Sequence, residues 1–372
     1  MKIQRTIMTM ILSLFNLGYK HLKVKENKIA FISLENNKLE NDFKLVSDEL
    51  TLNYKYDIEY ILFKFDNNLI GKFKYLLYCI RQLKVINTSK LIILDYNNFV
   101  VCNFKKNETK ILQLWHASGA IKKFGSAIKR DYEINNYDYV IASSDYYKDI
   151  YAKSFNVNQE NVIVSGIPKC DILFNKMNAY SKRDFLRKEL LKSNHDKKIV
   201  LYAPTFRGKL LHGLDDNFNV NLNRLQQDLG DEYLVIYKLH PLLQTLQISE
   251  SEKVLCLNHI NIDALLSISD ILISDYSSII LDYSILHKPV IFFVPDLKEY
   301  EITPGLNIEI HDLYGPVCYD ENELLEAIKN LNYDDEQNKK VLDKYFKYHD
   351  GCSTKRVCAL IEEIMEKKNS TK

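Results

Sequence analysis

The feature that most limits what this chain can fold into is an alternation. Short, continuous apolar runs rich in β-branched residues alternate with longer stretches of helical spacing. The runs fall at 28–33 (KIAFIS), 58–64, 90–95, 110–115, 137–143 and 161–165, and again at 198–203, 233–239, 253–256, 270–274 and 289–294. A strand with one wet face alternates apolar and polar residues, whereas a run that is apolar throughout is buried on both faces. That is how a parallel strand under helices reads. Strands separated by helices give βαβ units, so the chain is predicted to be α/β, with doubly wound domains. The pattern runs twice, and 372 residues suit two domains at roughly 100–200 residues each. The polar, helical stretch 174–196 is the expected boundary, after Ser165-Gly166-Ile167-Pro168 closes the first half. The domains are therefore placed at 26–175 and 195–372, with residues 1–25 as a separate helix. Residues 322–368 read as mostly helical, broken at His349-Asp350-Gly351, with Ser353 expected to cap the last helix.

Charge and cysteine content remove several classes of function. Lys and Arg total 50 against 49 Asp and Glu, so the chain is no polycation, and no nucleic-acid partner is expected. Seven cysteines without a CxxC pair argue against a disulfide framework or a zinc site and point to a reducing cytoplasm. The segment IMTMILSLFNL (7–17) carries basic residues on both sides but is too short to span a bilayer, which takes about 20 apolar residues. It also lacks a small-residue cleavage site. Two readings stay open: a helix lying in the membrane interface, and a first helix packed on the N-terminal domain.

In open α/β sheets ligands bind outside the carboxyl ends of the strands. Two such domains facing each other would place those ends around one cleft, so the residues just after strands are the candidates. In ILQLWHASGAIKKFG (111–125), His116 directly follows an apolar run. An imidazole there is suited to take a hydroxyl proton near neutral pH, and Lys122 and Lys123 follow as candidates for phosphate. The alternative is a hydrogen-bonded core histidine under Trp115. In VIYKLHP (235–241), His240 ends a strand before Pro241, and Lys238 lies on the same side two residues earlier. The pair suits an oxyanion, and the alternative is a structural His-Pro turn. In SDILISDYSSIILD (269–282), Asp275 is followed by Ser277 and Ser278 at the expected start of a helix, where unpaired N–H groups attract phosphate. Ordinary capping is the competing reading, and for Asp282 it is a solvated helix charge. In LYAPTFRG (201–208), Arg207 emerges after a strand, able to grip a phosphate through two nitrogens or to be a surface arginine.

Absent motifs narrow the chemistry. There is no GxxxxGK[ST] loop, GxGxxG, GxSxG elbow or HExxH helix. The Asp-x-Asp motif of many metal-dependent sugar transferases is missing as well. Charge neutralisation would fall to Lys, Arg, His and helix termini, with no metal ligands assigned. No cofactor is firmly implied, although a divalent cation such as Mg2+ is compatible.

Together and in this order, the segments resemble the CDP-glycerol glycerophosphotransferase family of teichoic acid enzymes. The resemblance rests on Trp115-His116 with Lys122-Lys123, Tyr202-Ala203-Pro204-Thr205-Phe206-Arg207, His240-Pro241 and Asp275-Tyr276-Ser277-Ser278. It continues through Asp282, KPVIFFVPDLKEYE (288–301), Gly315-Pro316 and YHDGCSTKR (348–356). It implies a GT-B-like fold of two Rossmann-like domains with a cleft between them. It also implies transfer of glycerol phosphate, or ribitol phosphate in some members, from a CDP-polyol to a hydroxyl of a polyprenyl-linked saccharide, with release of CMP. By the same resemblance His116 is the general base and His240 stabilises the donor pyrophosphate. Ser277 and Ser278 bind phosphate, and Arg207 and Asp282 help hold the donor. The implied place is the cytoplasmic face of the cell membrane, peripherally attached. Ala117, followed by Ser118-Gly119, stands where many members have glycine. This variant, and a length without a long extra N-terminal region, resemble the short primase-type members. Residues 301–314 match the family only loosely.

Competing functions are a CDP-ribitol transferase or polyol-phosphate polymerase, a GT-B glycosyltransferase using a sugar nucleotide, and a non-catalytic module of a polymer-assembly complex.

Overall fold

The computed structural model describes residues 2–34, 37–65, 69–130, 132–205, 207–209, 213–215, 220–239 and 253–367. The chain forms two compact units. The first holds residues 1–117, 124–171 and 346–372, and the second 118–123 and 172–345.

The first unit is built on a parallel sheet of β1 (Lys25–Ser33), β2 (Asp57–Leu62), β3 (Ser89–Leu94), β4 (Lys110–Gln113), β5 (Tyr139–Ala142) and β6 (Val162–Val164), in the order β2-β1-β3-β4-β5-β6. Every residue of β3 is buried. At about 1.5–3 kcal/mol for each fully buried Ile or Leu, such strands supply much of the force that holds the unit together. The chain runs outward from β1 to β2, then returns to the other side of β1. This reversal leaves a switch point between the ends of β1 and β3.

The second unit repeats the plan. Its strands are β7 (Lys198–Tyr202), β10 (Tyr233–Tyr237), β11 (Val254–Cys256), β12 (Ile271–Ser274), β13 (Val290–Phe293) and β14 (Val317–Cys318), with a small hairpin of β8 (Arg207–Lys209) and β9 (Gly213–Asp215). The sheet order β11-β10-β7-β12-β13-β14 is that of a Rossmann sheet, with its switch point between β7 and β12.

The domain boundaries require correction. The helix Lys176–Leu191 occupies the expected boundary stretch, but the chain ending differs from the expected 195–372 unit. The last helix, Ser353–Glu366, belongs to the first unit and packs on the helix Asn41–Asn53. Residues 118–123 belong to the second unit, so the 26–175 unit is interrupted. The start of the last helix is also held differently from expectation. Ser353 makes no cap; Asp171 accepts from the backbone N–H of Ser353 and of Thr354, both at 2.8 Å, and from the Thr354 hydroxyl at 2.7 Å. A carboxylate distant in sequence thus does the work expected of the local hydroxyl.

The N-terminal helix Lys2–Tyr19 is a first helix packed on the N-terminal unit, the second of the two readings. It packs on the helix Leu69–Ile86, with Leu12 fully buried and Asn16 accepting from Asn87 Nδ2 at 3.0 Å. Its other side keeps Met10 61% and Leu14 70% exposed. Among the described residues no helix is long and apolar enough to cross a membrane.

Candidate functional site

In the first unit the switch point and the end of β4 are tied into one polar edge. Ser33, closing β1, donates its hydroxyl to Asp95 Oδ2 at 2.7 Å, just beyond β3. Beyond β4 the backbone of Leu114 donates to Leu94 O at 2.8 Å, extending the pairing by one residue. Trp115 then takes a φ of +61°. A bulky residue in the left-handed region costs on the order of 1–3 kcal/mol and persists only where its surroundings hold it. Here they do. Its N–H donates to Gln113 Oε1 at 3.1 Å, while Gln113 Nε2 is itself fixed on Tyr96 O at 2.9 Å. The indole stacks on Phe124 at 4.7 Å and meets the edge of Phe155 at 5.2 Å. Aromatic pairs of this kind contribute about 0.5–1.5 kcal/mol each.

The turn at Trp115 brings His116 back across the end of β3. Its ring lies 4.2 Å from the indole, and Nδ1 is 2.9 Å from the carbonyl oxygen of Asp95. A carbonyl can only accept, so Nδ1 carries the proton, and in the neutral ring the lone pair is on Nε2. His116 is exposed, which removes the reading of a core histidine buried beneath Trp115. The loop that supplies the Asp95 carbonyl is anchored from below. Tyr78 donates to Ser33 O at 2.6 Å and sits 3.2 Å from Tyr96 Oη. Asn98 Nδ2 donates to the Tyr96 hydroxyl and to Gln82 Oε1. Burial raises both tyrosine pKa values far above the ordinary phenol value, so this network remains one of neutral hydroxyls.

In the second unit the switch point closes on Asp275. This carboxylate is 2% exposed and accepts from Thr205 N–H at 2.9 and 3.1 Å and from Tyr276 N–H at 2.6 Å. It clasps the loop after β7 to the loop after β12, a supporting part within the second unit. Ser277 and Ser278, both half-buried, precede the helix Ile279–Ile285. Ser277 Oγ lies 3.4 Å from Ile279 N, and Ser278 makes no side-chain cap, so simple capping accounts for little of either hydroxyl. Between them and the sheet, Tyr276 stacks on Tyr300 at 3.7 Å and donates to Asp296 Oδ1 at 3.0 Å.

Asp282 is 1% exposed and accepts the hydroxyl of Ser118, so it is not a solvated helix charge. Ser118 begins the short segment that the chain lends to the second unit directly after Ala117. That segment is pinned along its length. Lys123 N–H donates to Gly305 O at 2.9 Å, Asn307 N–H to Ile121 O at 2.7 Å, and Asn307 Nδ2 to Lys122 O at 3.0 Å. Lys122 and Lys123 therefore belong to the second unit while His116 belongs to the first, a separation that sequence adjacency conceals.

Lys238 is tied to the backbone of its own unit. Its ammonium donates to Asn258 O at 2.8 Å and Ile260 O at 2.6 Å, bracing the loop after β11. Burial lowers its pKa. His240 lies outside the described residues, as does the side chain of Arg207, whose backbone forms part of β8. Among the described residues no group of three or more His, Cys, Asp or Glu side chains gathers as metal ligands would. Sequence reasoning did not single out Asp95, Gln113, Ser118 or Asp171. Asp95 carried one usable signal, a polar residue closing an apolar run.

Residues 14–363 match the family model described as CDP-Glycerol:Poly(glycerophosphate) glycerophosphotransferase. The chain belongs to this family. Glycerophosphotransferases of the kind make teichoic acids, and the protein is an enzyme of that biosynthesis. It is 30% identical to the teichoic acid ribitol-phosphate primase of Bacillus spizizenii, over 97% of this chain and 98% of that protein. It is 32% identical to the teichoic acid glycerol-phosphate primase of Bacillus subtilis, over 78% of this chain and 77% of that protein. A solved structure of the wall teichoic acid polymerase TagF, soaked with CDPG, superposes with a TM-score of 0.77 at 23% identity, over 98% of this chain and 97% of that one. The glycerophosphotransferase fold here is accordingly GT-B-like, with a parallel sheet in each of its two units.

Proposed function

We propose that the protein transfers glycerol phosphate from CDP-glycerol to a hydroxyl of a polyprenyl-diphosphate-linked saccharide, with His116 as general base. The observation that carries this reading is the bond from His116 Nδ1 to the Asp95 carbonyl, which leaves the lone pair on Nε2 in an exposed imidazole. In the reaction the acceptor oxygen attacks the glycerol-bearing phosphorus. The bond from that phosphorus to the oxygen of CMP breaks, CMP leaves with the electron pair, and Nε2 takes the hydroxyl proton. Ser277, Ser278, Lys122 and Lys123 are suited to the donor phosphates, and the resemblance assigns His240 and Arg207 to them as well. Asp282, held by Ser118, acts by position. The enzyme works at the cytoplasmic face of the membrane as a peripheral protein, and a divalent cation on the pyrophosphate is compatible with this chemistry.

A second donor has support of its own, because the relative matched along nearly its whole length is a ribitol-phosphate primase. A donor panel separates the readings. Purified protein with a lipid-linked disaccharide is offered CDP-glycerol, CDP-ribitol and UDP-sugars, and CMP or UDP release is followed. CMP release from CDP-glycerol, lost in His116→Ala, is the expected result. Turnover with CDP-ribitol alone transfers the reading to that donor, and turnover with a UDP-sugar alone sinks both.

A further inference from the structure

The first unit contains a groove of about 830 Å3 that the chemistry above does not use. One wall is the N-terminal helix, which contributes Met10, Leu14 and Leu17, and the other includes Phe99 and Tyr132. The volume falls within the roughly 300–1,000 Å3 usual for small-molecule sites. Its lining is mostly apolar, but one end is cationic. The guanidinium of Arg5 lies 5.4 Å from the centre of the Tyr132 ring and that of Arg130 lies 5.5 Å from it. A guanidinium lining an apolar trough, against an aromatic ring that a second arginine also approaches, complements a molecule with a hydrocarbon body and an anionic head.

The groove is also wired to the His116 edge within the same unit. The Tyr132 hydroxyl donates to Asn97 O at 3.2 Å, and Phe99 meets the Tyr132 ring edge-on at 5.4 Å. Asn97 lies two residues beyond Asp95, whose carbonyl holds His116. A ligand seated against Tyr132 therefore lies beside the loop that orients the imidazole.

We infer that this groove binds the lipid part of the acceptor as a single molecule, with the prenyl chain along Met10, Leu14, Leu17 and Phe99 and its phosphate at Arg5. The inference rests on the acceptor reading above, and it differs from a helix that only lies on a bilayer.

The test is calorimetric titration of the full chain with farnesyl phosphate below its critical micelle concentration, beside farnesol and inorganic phosphate. Saturable binding of farnesyl phosphate is expected, with inorganic phosphate not saturating over the same range. Arg5→Gln should weaken farnesyl phosphate about tenfold, the size of one charged contact, and leave farnesol unchanged. Thr9→Trp fills the groove and should weaken both prenyl ligands by about tenfold or more; if that variant does not fold, Ser13→Phe replaces it. Equal affinity in all variants, or no binding of monomeric farnesyl phosphate, overturns the inference. So does equal binding of phosphatidylglycerol vesicles by wild type and Thr9→Trp without monomer binding, which would make the face a bilayer contact. Prenyl binding that survives while no CDP-polyol is turned over would sink the proposed reaction and leave the groove standing. CMP release without prenyl binding would do the reverse.

Discussion

Replacing Asp171 by alanine should undock the last helix. The carboxylate accepts three hydrogen bonds at 2.7–2.8 Å from Ser353 and Thr354, and it is the only cap the helix start shows among the described residues. Losing a helix cap costs about 0.5–2 kcal/mol, and a hydrogen bond to a charged group about 1.5–3 kcal/mol. These describe overlapping interactions, so the total for Asp171→Ala is about 2–3 kcal/mol. For a unit of nearly 200 residues that is a fall in melting temperature of roughly 5–10 °C. Asp171→Asn retains one acceptor oxygen and should fall about half as far, while Thr354→Val loses one of the three bonds to the carboxylate, worth about 1.5 kcal/mol. The assay is thermal unfolding followed by near-ultraviolet circular dichroism, with amide exchange over 353–357. Wild-type melting in Asp171→Ala, with undiminished protection of those amides, would refute the assignment of the cap.

The remaining predictions concern the site, the packing and the thiols. His116→Gln should lower kcat by about 10²–10⁴ without changing the far-ultraviolet spectrum, the range for a lost general base; a loss below threefold would remove His116 from that role. Gly166→Ala would put a Cβ 2.3 Å from Ser353 Oγ at a φ of +80°, so its melting temperature should fall by several degrees, a shift read in the same thermal scan. Seven cysteines are present, but Cys256 alone is exposed and Cys352 partly so. Burial pushes Cys79 and Cys358 up to about 12. Thiol titration at pH 8 should therefore modify Cys256 quickly, Cys352 more slowly and the other five only on unfolding.

The strands were legible because burial on both faces leaves an unmistakable apolar run, and every such run became a strand of one of the two sheets. β14 escaped because two residues make no pattern, and the β8–β9 hairpin because nothing in RGKLLHGLD alternates cleanly. At the site, strand-end position found His116 but not its holder. Asp95 is 21 residues away and acts through its backbone, which the sequence cannot advertise. The partners of Lys238 were hidden for a related reason. Alternation gives the side of a strand on which a residue lies, but not the carbonyls its flexible stem will reach. The cap at 353 had the right place and the wrong residue, since Asp171 is brought there only by tertiary structure.

The placement of the last helix sets an order of events during synthesis. The helix on which it docks, Asn41–Asn53, leaves the ribosome early. Its partner helix is made only after all of 172–345, a wait of roughly fifteen to sixty seconds after Asn53 at ordinary elongation rates. The second unit, nearly continuous in sequence, has most of its own core before the first is complete. The first unit therefore waits without its last helix, and a ribosome stalled before residue 353 would hold a chain whose first unit cannot close.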